Sequence, residues 1–99
     1  MKNIYSEIKQ ERKLQNKKWG EQNHQPIEWI GILTEEVGEA SKEAVDHHFK
    51  NSFKDGGEIF PCSDLIQTQR LRAYRKEVIQ VAAVAVHMVE SLDRMHKHL

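Results

Sequence analysis

The segment Val78-Ile-Gln-Val-Ala-Ala-Val-Ala-Val-His-Met-Val89 is apolar on nearly every side when wound at about 100° per residue. A helix of that kind in a water-soluble fold must be surrounded by partners. It cannot instead span a bilayer, because Gln80 and His87 interrupt it and it falls short of the roughly 20 residues required. Two other helical stretches are all the chain offers as cover, so a second copy is expected to pack against it. Ala82, Ala83 and Ala85 would allow close approach between helices. Composition agrees: 30% charged residues with only five glycines and two prolines favour helices over a sheet. Turn signals at sandwich spacing are also missing. Ninety-nine residues allow one domain, 1–99. The expected fold is therefore all-α, an antiparallel helical bundle completed by oligomerisation.

Helix boundaries follow from local chemistry. A first helix is expected from about Asn3 to Lys18, with Ile4, Ile8 and Leu14 as a thin apolar face. Gly20 suits its C-terminal cap and Pro26 the first turn of the next helix. The second helix should run from Pro26 to about Phe49. Asn51 to Ser63, with Gly56-Gly57 and Pro61, is the only clear loop. Asp64-Leu-Ile-Gln67 forms a capping-box pattern that opens a third helix reaching about Lys97.

On the second helix, Ile30, Leu33, Val37, Ala40 and Ala44 share a stripe, and Glu36, Glu39 and Glu43 form a row directly beside it. Adjacent like charges at this spacing repel, and Lys42 alone interrupts them. The row therefore suits something cationic. Glu35 lies more than a quarter-turn from Glu36. On the third helix Glu77 and Gln80 are likewise one turn apart. Packed face to face, the two helices would bring three carboxylates and one amide oxygen together, a ligand set for Mg²⁺ or Mn²⁺ rather than zinc. Arg72, Arg75 and Lys76 lie about a turn upstream of Glu77, placed either to meet phosphate oxygens or to form ordinary solvated surface. Trp19, Gln22, Asn23 and His24 occupy a connector where side chains can face a ligand. Trp19 equally suits a plug over the core.

Other features carry less. His47 and His48 are adjacent, point about 100° apart and read as solvated last-turn residues rather than ligands of one ion. Cys62, the single cysteine, excludes an internal disulfide framework, suits a reducing cytoplasm and reads as a spectator thiol. The Walker spacing is absent. No apolar leader opens the chain at Met1-Lys-Asn-Ile-Tyr-Ser-Glu, so a cytoplasmic protein is expected. Formal net charge is zero, which argues against a protein built to coat nucleic acid. A helix-turn-helix DNA binder would need a recognition helix that the acidic second helix does not provide. A non-catalytic helical interaction or regulatory module would explain the apolar third helix but gives the acidic row no purpose.

Glu35-Glu36-Val-Gly-Glu39 followed by Glu77-Val-Ile-Gln80 resembles the Glu-Glu-x-x-Glu and Glu-x-x-Asp signature of the MazG-like, all-α nucleoside triphosphate pyrophosphohydrolases. Glu11-Arg12-x-x-Gln15, Lys18-Trp19-Gly20-x-Gln22-x-His24, Trp29 and Tyr74-Arg75-Lys76-Glu77 look like a small bacterial and phage branch of that family. The resemblance spans most of the chain outside 51–69. It implies a homodimer or homotetramer without membrane or nucleic-acid partners. It implies Mg²⁺, with Mn²⁺ as a substitute, held by Glu36, Glu39, Glu77 and Gln80 with help from Glu35. Glu36 or Glu39 would act in catalysis, and Trp19, Gln22, His24, Arg75 and Lys76 would bind substrate. The implied reaction is hydrolysis of a nucleoside triphosphate to monophosphate and pyrophosphate, often as nucleotide-pool housecleaning. Gln80 stands where the broader family has aspartate, which leaves the site one charge fewer and reads as a feature of the branch.

Overall fold

A computed structural model describes residues 3–49, 52–55, 58–61 and 64–99, with side chains over 3–49 and 65–99. Three helices dominate: α1 (Ile4–Trp19), α2 (Pro26–Phe49) and α3 (Asp64–Met95). The region read as a loop also contains two short antiparallel strands, β1 (Ser52–Asp55) and β2 (Glu58–Pro61), with Phe53 opposite Phe60 and Lys54 opposite Ile59. Alternation was too brief there to signal a strand. Cys62 lies outside the described residues.

The helix ends follow their residue types. The Asn3 side chain accepts from the Ser6 amide at 3.1 Å and caps α1. Gly20 ends it at φ 74°, a left-handed backbone in which a side chain would be strained, and its amide donates to the Asn16 carbonyl at 2.8 Å. Pro26 is the first residue of α2, where its missing amide costs nothing.

α3 is the hub, with α1 and α2 both packed along it. The Trp29 indole meets Ser91, whereas Glu36 and Glu39 meet Glu77 further along, so α2 runs antiparallel to α3. Glu7 pairs with Arg75 and Arg12 with Glu90, so α1 runs parallel to α3. Trp29, Ala40, Ala83 and Val84 form the small apolar core. No helix among the described residues is long and apolar enough to cross a membrane.

Two faces differ from the expected ones. The buried residues of α1 are Arg12 and Gln15, while Ile4 and Leu14 are exposed. Hydrogen bonds explain this inversion. Arg12 donates from Nε to Glu90 at 2.6 Å, from Nη1 to Gln15 at 3.1 Å and from Nη2 to Asn16 at 3.0 Å, so its charge is buried fully partnered. On α2 the stripe splits: Ala40 is buried, but Ile30, Val37 and Ala44 turn outward, and Trp29, Glu36 and Glu43 take the bundle side. Trp29, one position before the expected stripe, rotates the helix because its large ring finds the interior.

Apolar surface remains on α3. Leu71, Tyr74, Val78, Ala85 and Leu92 are exposed at spacings of three, four and seven residues, and Val89 beside them is 58% exposed.

Candidate metal centre

One turn of helix separates Glu36 from Glu39, and α3 brings Glu77 against both. One ligand oxygen from each of the three lies within 4.8 Å of the others, and no other described group of three or more acidic, histidine or cysteine side chains converges in this way. Glu36 and Glu77 are half-buried, and Glu39 sits at the rim. Oε2 of Glu36 and Oε2 of Glu77 are both buried with no hydrogen-bond partner. Buried carboxylate oxygens are costly when unpaired, and a divalent cation would satisfy both.

Electrostatics describe the same cluster. Burial pushes the Glu36 carboxyl above its ordinary value of 4.5, and the charges of Glu39, Glu77, Glu11 and Glu35 push it further. Burial likewise raises Glu77, followed by the charge of Glu39, a hydrogen bond with Glu39 and the charge of Glu43, while Lys76 opposes the shift. Both shifts follow from removing carboxylates from water and crowding them against like charge. Glu43, the next turn of the acidic row, is therefore part of the cluster's field.

A cleft of about 270 Å³ opens over the carboxylates. Glu36, Glu39 and Gln80 line it from α2 and α3, and Trp19 lines it as the last residue of α1 rather than from the connector where the sequence places it. The remaining expected residues are placed elsewhere. Glu35 is exposed and outside the three-carboxylate group. Arg75 and Lys76 border a neighbouring cleft of about 380 Å³, which shares Glu11 with the first. Arg75 there gives two hydrogen bonds to Glu7, at 2.8 Å and 2.5 Å. Gln22 offers its main-chain carbonyl to Arg94 at 3.0 Å. His24 does not line the carboxylate cleft; its ring meets the edge of Trp29 at 4.9 Å and borders an apolar hollow with Met88 and Leu92.

Glu11, Leu14, Gln15 and Lys18 also line the carboxylate cleft. The sequence carried a signal for them: Glu11, Gln15 and Trp19 recur every four residues and share one face of α1.

No family model matches the chain, and neither does any curated protein or solved structure.

The carboxylates fit a divalent ion of the Mg²⁺ class. The donors are oxygens only, they come from two rigid helices, and two of those oxygens are buried without partners. Gln80, at the cleft wall, adds an amide oxygen without charge.

Proposed function

We propose that this chain is a Mg²⁺-dependent nucleoside triphosphate pyrophosphohydrolase, a hydrolase acting on an acid anhydride. The observation that carries the reading is the convergence of Glu36, Glu39 and Glu77 within 4.8 Å, with two buried oxygens unpartnered, under an open cleft. Glu36, Glu39 and Glu77 would hold the ion, Gln80 would assist, and Mn²⁺ would substitute. Bound there, the ion would neutralise phosphate charge and act as a Lewis acid toward a phosphoryl oxygen.

The protein's own groups do the rest. Glu39, at the exposed rim, is the carboxylate best placed to orient an attacking water and accept its proton. Glu36 and Glu77, more buried than Glu39, would hold the ion from the two helices. Trp19 lines the cleft with the Lys18 ammonium 5.0 Å from its ring centroid, and the ring face that Lys18 does not cover would stack the base. Lys76 and Arg72 border the adjoining cleft, where departing pyrophosphate would meet positive charge. Nucleoside triphosphates and Mg²⁺ suit a cytoplasmic setting.

Self-association belongs to the same proposal. The apolar residues along α3, from Leu71 to Leu92, form a seam of the kind that helices bury against a second copy. A homodimer, or a homotetramer built from two, would cover it.

The deciding experiment is a screen of NTPs and dNTPs for pyrophosphate release in Mg²⁺. Glu39→Ala and Glu77→Ala should each abolish release while the helical circular dichroism spectrum survives. Unchanged turnover in either variant refutes the assignment. If no nucleotide is cleaved under several divalent ions, the chain is instead a helical interaction module.

A further inference from the structure

Arg12 and Gln15 are the two buried residues of α1, and the function proposed above uses neither. Gln15 is 4% exposed and lines the carboxylate cleft. Arg12 borders a different hollow, on the flank of α1 that faces Val86 and Glu90. Between the two, Arg12 Nη1 donates to Gln15 Oε1 at 3.1 Å.

That single contact fixes the orientation of the Gln15 amide. A guanidinium has donors only, so the atom turned toward it must be the carbonyl oxygen. Arg12 is itself held, by Glu90 at 2.6 Å and Asn16 at 3.0 Å, so it cannot rotate to release the amide. The NH₂ end of Gln15 is then the end that Arg12 does not engage, on a residue that lines the cleft. Gln15 also lies four residues before Trp19, which puts its amide beside the indole on one face of the helix. An aromatic face beside a polar group is the arrangement by which proteins stack a nucleobase and read its edge.

We propose that Gln15 is a base-reading residue. Its amide is locked as a donor and selects a nucleobase that presents a carbonyl, rather than an amine, at the recognised edge. The proposal rests on the nucleotide-binding reading of the cleft and names the chemical class of base within it. With its carbonyl committed to Arg12, Gln15 cannot flip to accept from an amino group. An amino group placed against that amide would set donor against donor, a mismatch that enzymes use for discrimination.

The test compares nucleotides that differ at this edge, a carbonyl beside a ring N–H against an amine beside a bare ring nitrogen: uridine against cytidine, and inosine against adenosine. Each is supplied as the triphosphate with a non-hydrolysable methylene link between the α and β phosphorus atoms. Binding in Mg²⁺ is read by calorimetry, so the result does not depend on turnover. In the wild-type chain the keto member of at least one pair should bind about tenfold more tightly. Gln15→Met should erase that ratio. Gln15→Glu still accepts from Arg12 but presents an acceptor to the cleft, so it should reverse the preference toward the amino base. A reversal cannot come from partial unfolding.

Equal binding of both members of both pairs by the wild-type chain overturns the proposal. So does a wild-type ratio that survives in both variants. Keto preference without hydrolysis of ordinary nucleotides would leave Gln15 in its role and refute the catalytic reading alone. Absence of binding by every analogue refutes both.

Discussion

Glu36 and Glu77 face each other across the packing of α2 on α3, each with a buried Oε2 that has no hydrogen-bond partner. A metal-free chain must bear their mutual repulsion as well as their desolvation. Glu77→Gln should therefore stabilise the metal-free protein, by about 0.5–1 kcal/mol after screening at a partly exposed site, or a few degrees in Tm. The same substitution should remove most of the gain on adding Mg²⁺, which for the wild type reaches about 2.7 kcal/mol at a hundredfold excess over Kd. Melting curves with and without Mg²⁺ check both signs. Destabilisation of the metal-free variant would mean that the pair is an internal structural contact rather than an ion site.

Proton linkage at the same pair gives a second prediction. Both carboxyls are raised above 4.5 in the folded state. A raised carboxyl contributes stability that is fully present below the unfolded value and is lost as pH rises through the folded one. Metal-free wild type should thus lose stability, relative to Glu36→Gln/Glu77→Gln, as pH climbs from about 4.5 through the raised values. Mg²⁺ should reverse that loss and displace protons. Calorimetry in two buffers of different ionisation enthalpy would detect the release, and no proton release near the folded values would contradict the linkage.

Much of this arrangement is legible in the amino-acid sequence. Helix ends were set by local chemistry: the Gly20 cap and the Pro26 start need no tertiary information. The meeting of Glu36 and Glu39 with Glu77 followed from one-turn spacing on two helices, because helix geometry is regular enough to extrapolate. What failed was the choice of buried face. Apolar count favoured Ile4 and Leu14 on α1, yet Arg12 and Gln15 go inside, since Glu90, distant in sequence, supplies the partner that makes burial affordable. Gln22, His24 and Arg75 belong to the same lesson. Each lies near the cleft in sequence, but Arg94, Trp29 and Glu7 respectively hold it elsewhere; the partners of Gln22 and Arg75 are distant in sequence, and Trp29, only five residues from His24, is drawn into the core by its contact with α3.

The Arg75–Glu7 pair can be tested directly. Arg75 gives both terminal nitrogens to the Glu7 carboxylate, and this hydrogen bonding raises an already high guanidinium pKa. A guanidinium so committed is less available to phosphate. Glu7→Gln should lower KM for a nucleoside triphosphate two- to fivefold with little change in kcat, an order-of-magnitude figure for freeing one cation at an exposed site. Steady-state kinetics would show it, and a fall in kcat instead would mean that Glu7 positions Arg75 productively.

Self-association is tested at the α3 seam. Val78 and Val89 are 40% and 58% exposed and share one face of α3. Val78→Glu with Val89→Glu should place two charges in the buried centre of the proposed contact, where an unpaired charge costs several kcal/mol. Sedimentation equilibrium should show a dimer or tetramer for the wild type and a helical monomer for the variant. Unaltered mass would move the contact to another face.

His87 offers the last prediction, in the layer where α3 meets Trp29. Its ring is 2% exposed and lies 4.6 Å from the Trp29 ring, and its Nε2 is buried without a hydrogen-bond partner. Burial holds its pKa below the ordinary 6.5, the charge of Arg12 lowers it further, Glu90 pulls the other way, and Arg94 and His24 add to the lowering. For a base whose folded pKa is depressed, the unfolded chain takes up the proton first. Its contribution is therefore whole above about 6.5 and is lost as pH falls from there toward the folded value. Wild type should lose stability relative to His87→Gln over that interval, with a slope of at most about 1.4 kcal/mol per pH unit. Glu36 and Glu77 favour the folded state as pH falls, so the comparison must be the difference between the two proteins rather than the raw curve of either. Parallel denaturation curves from pH 7 to pH 5 would show that His87 reaches solvent, and that the Trp29 layer is looser than its geometry implies.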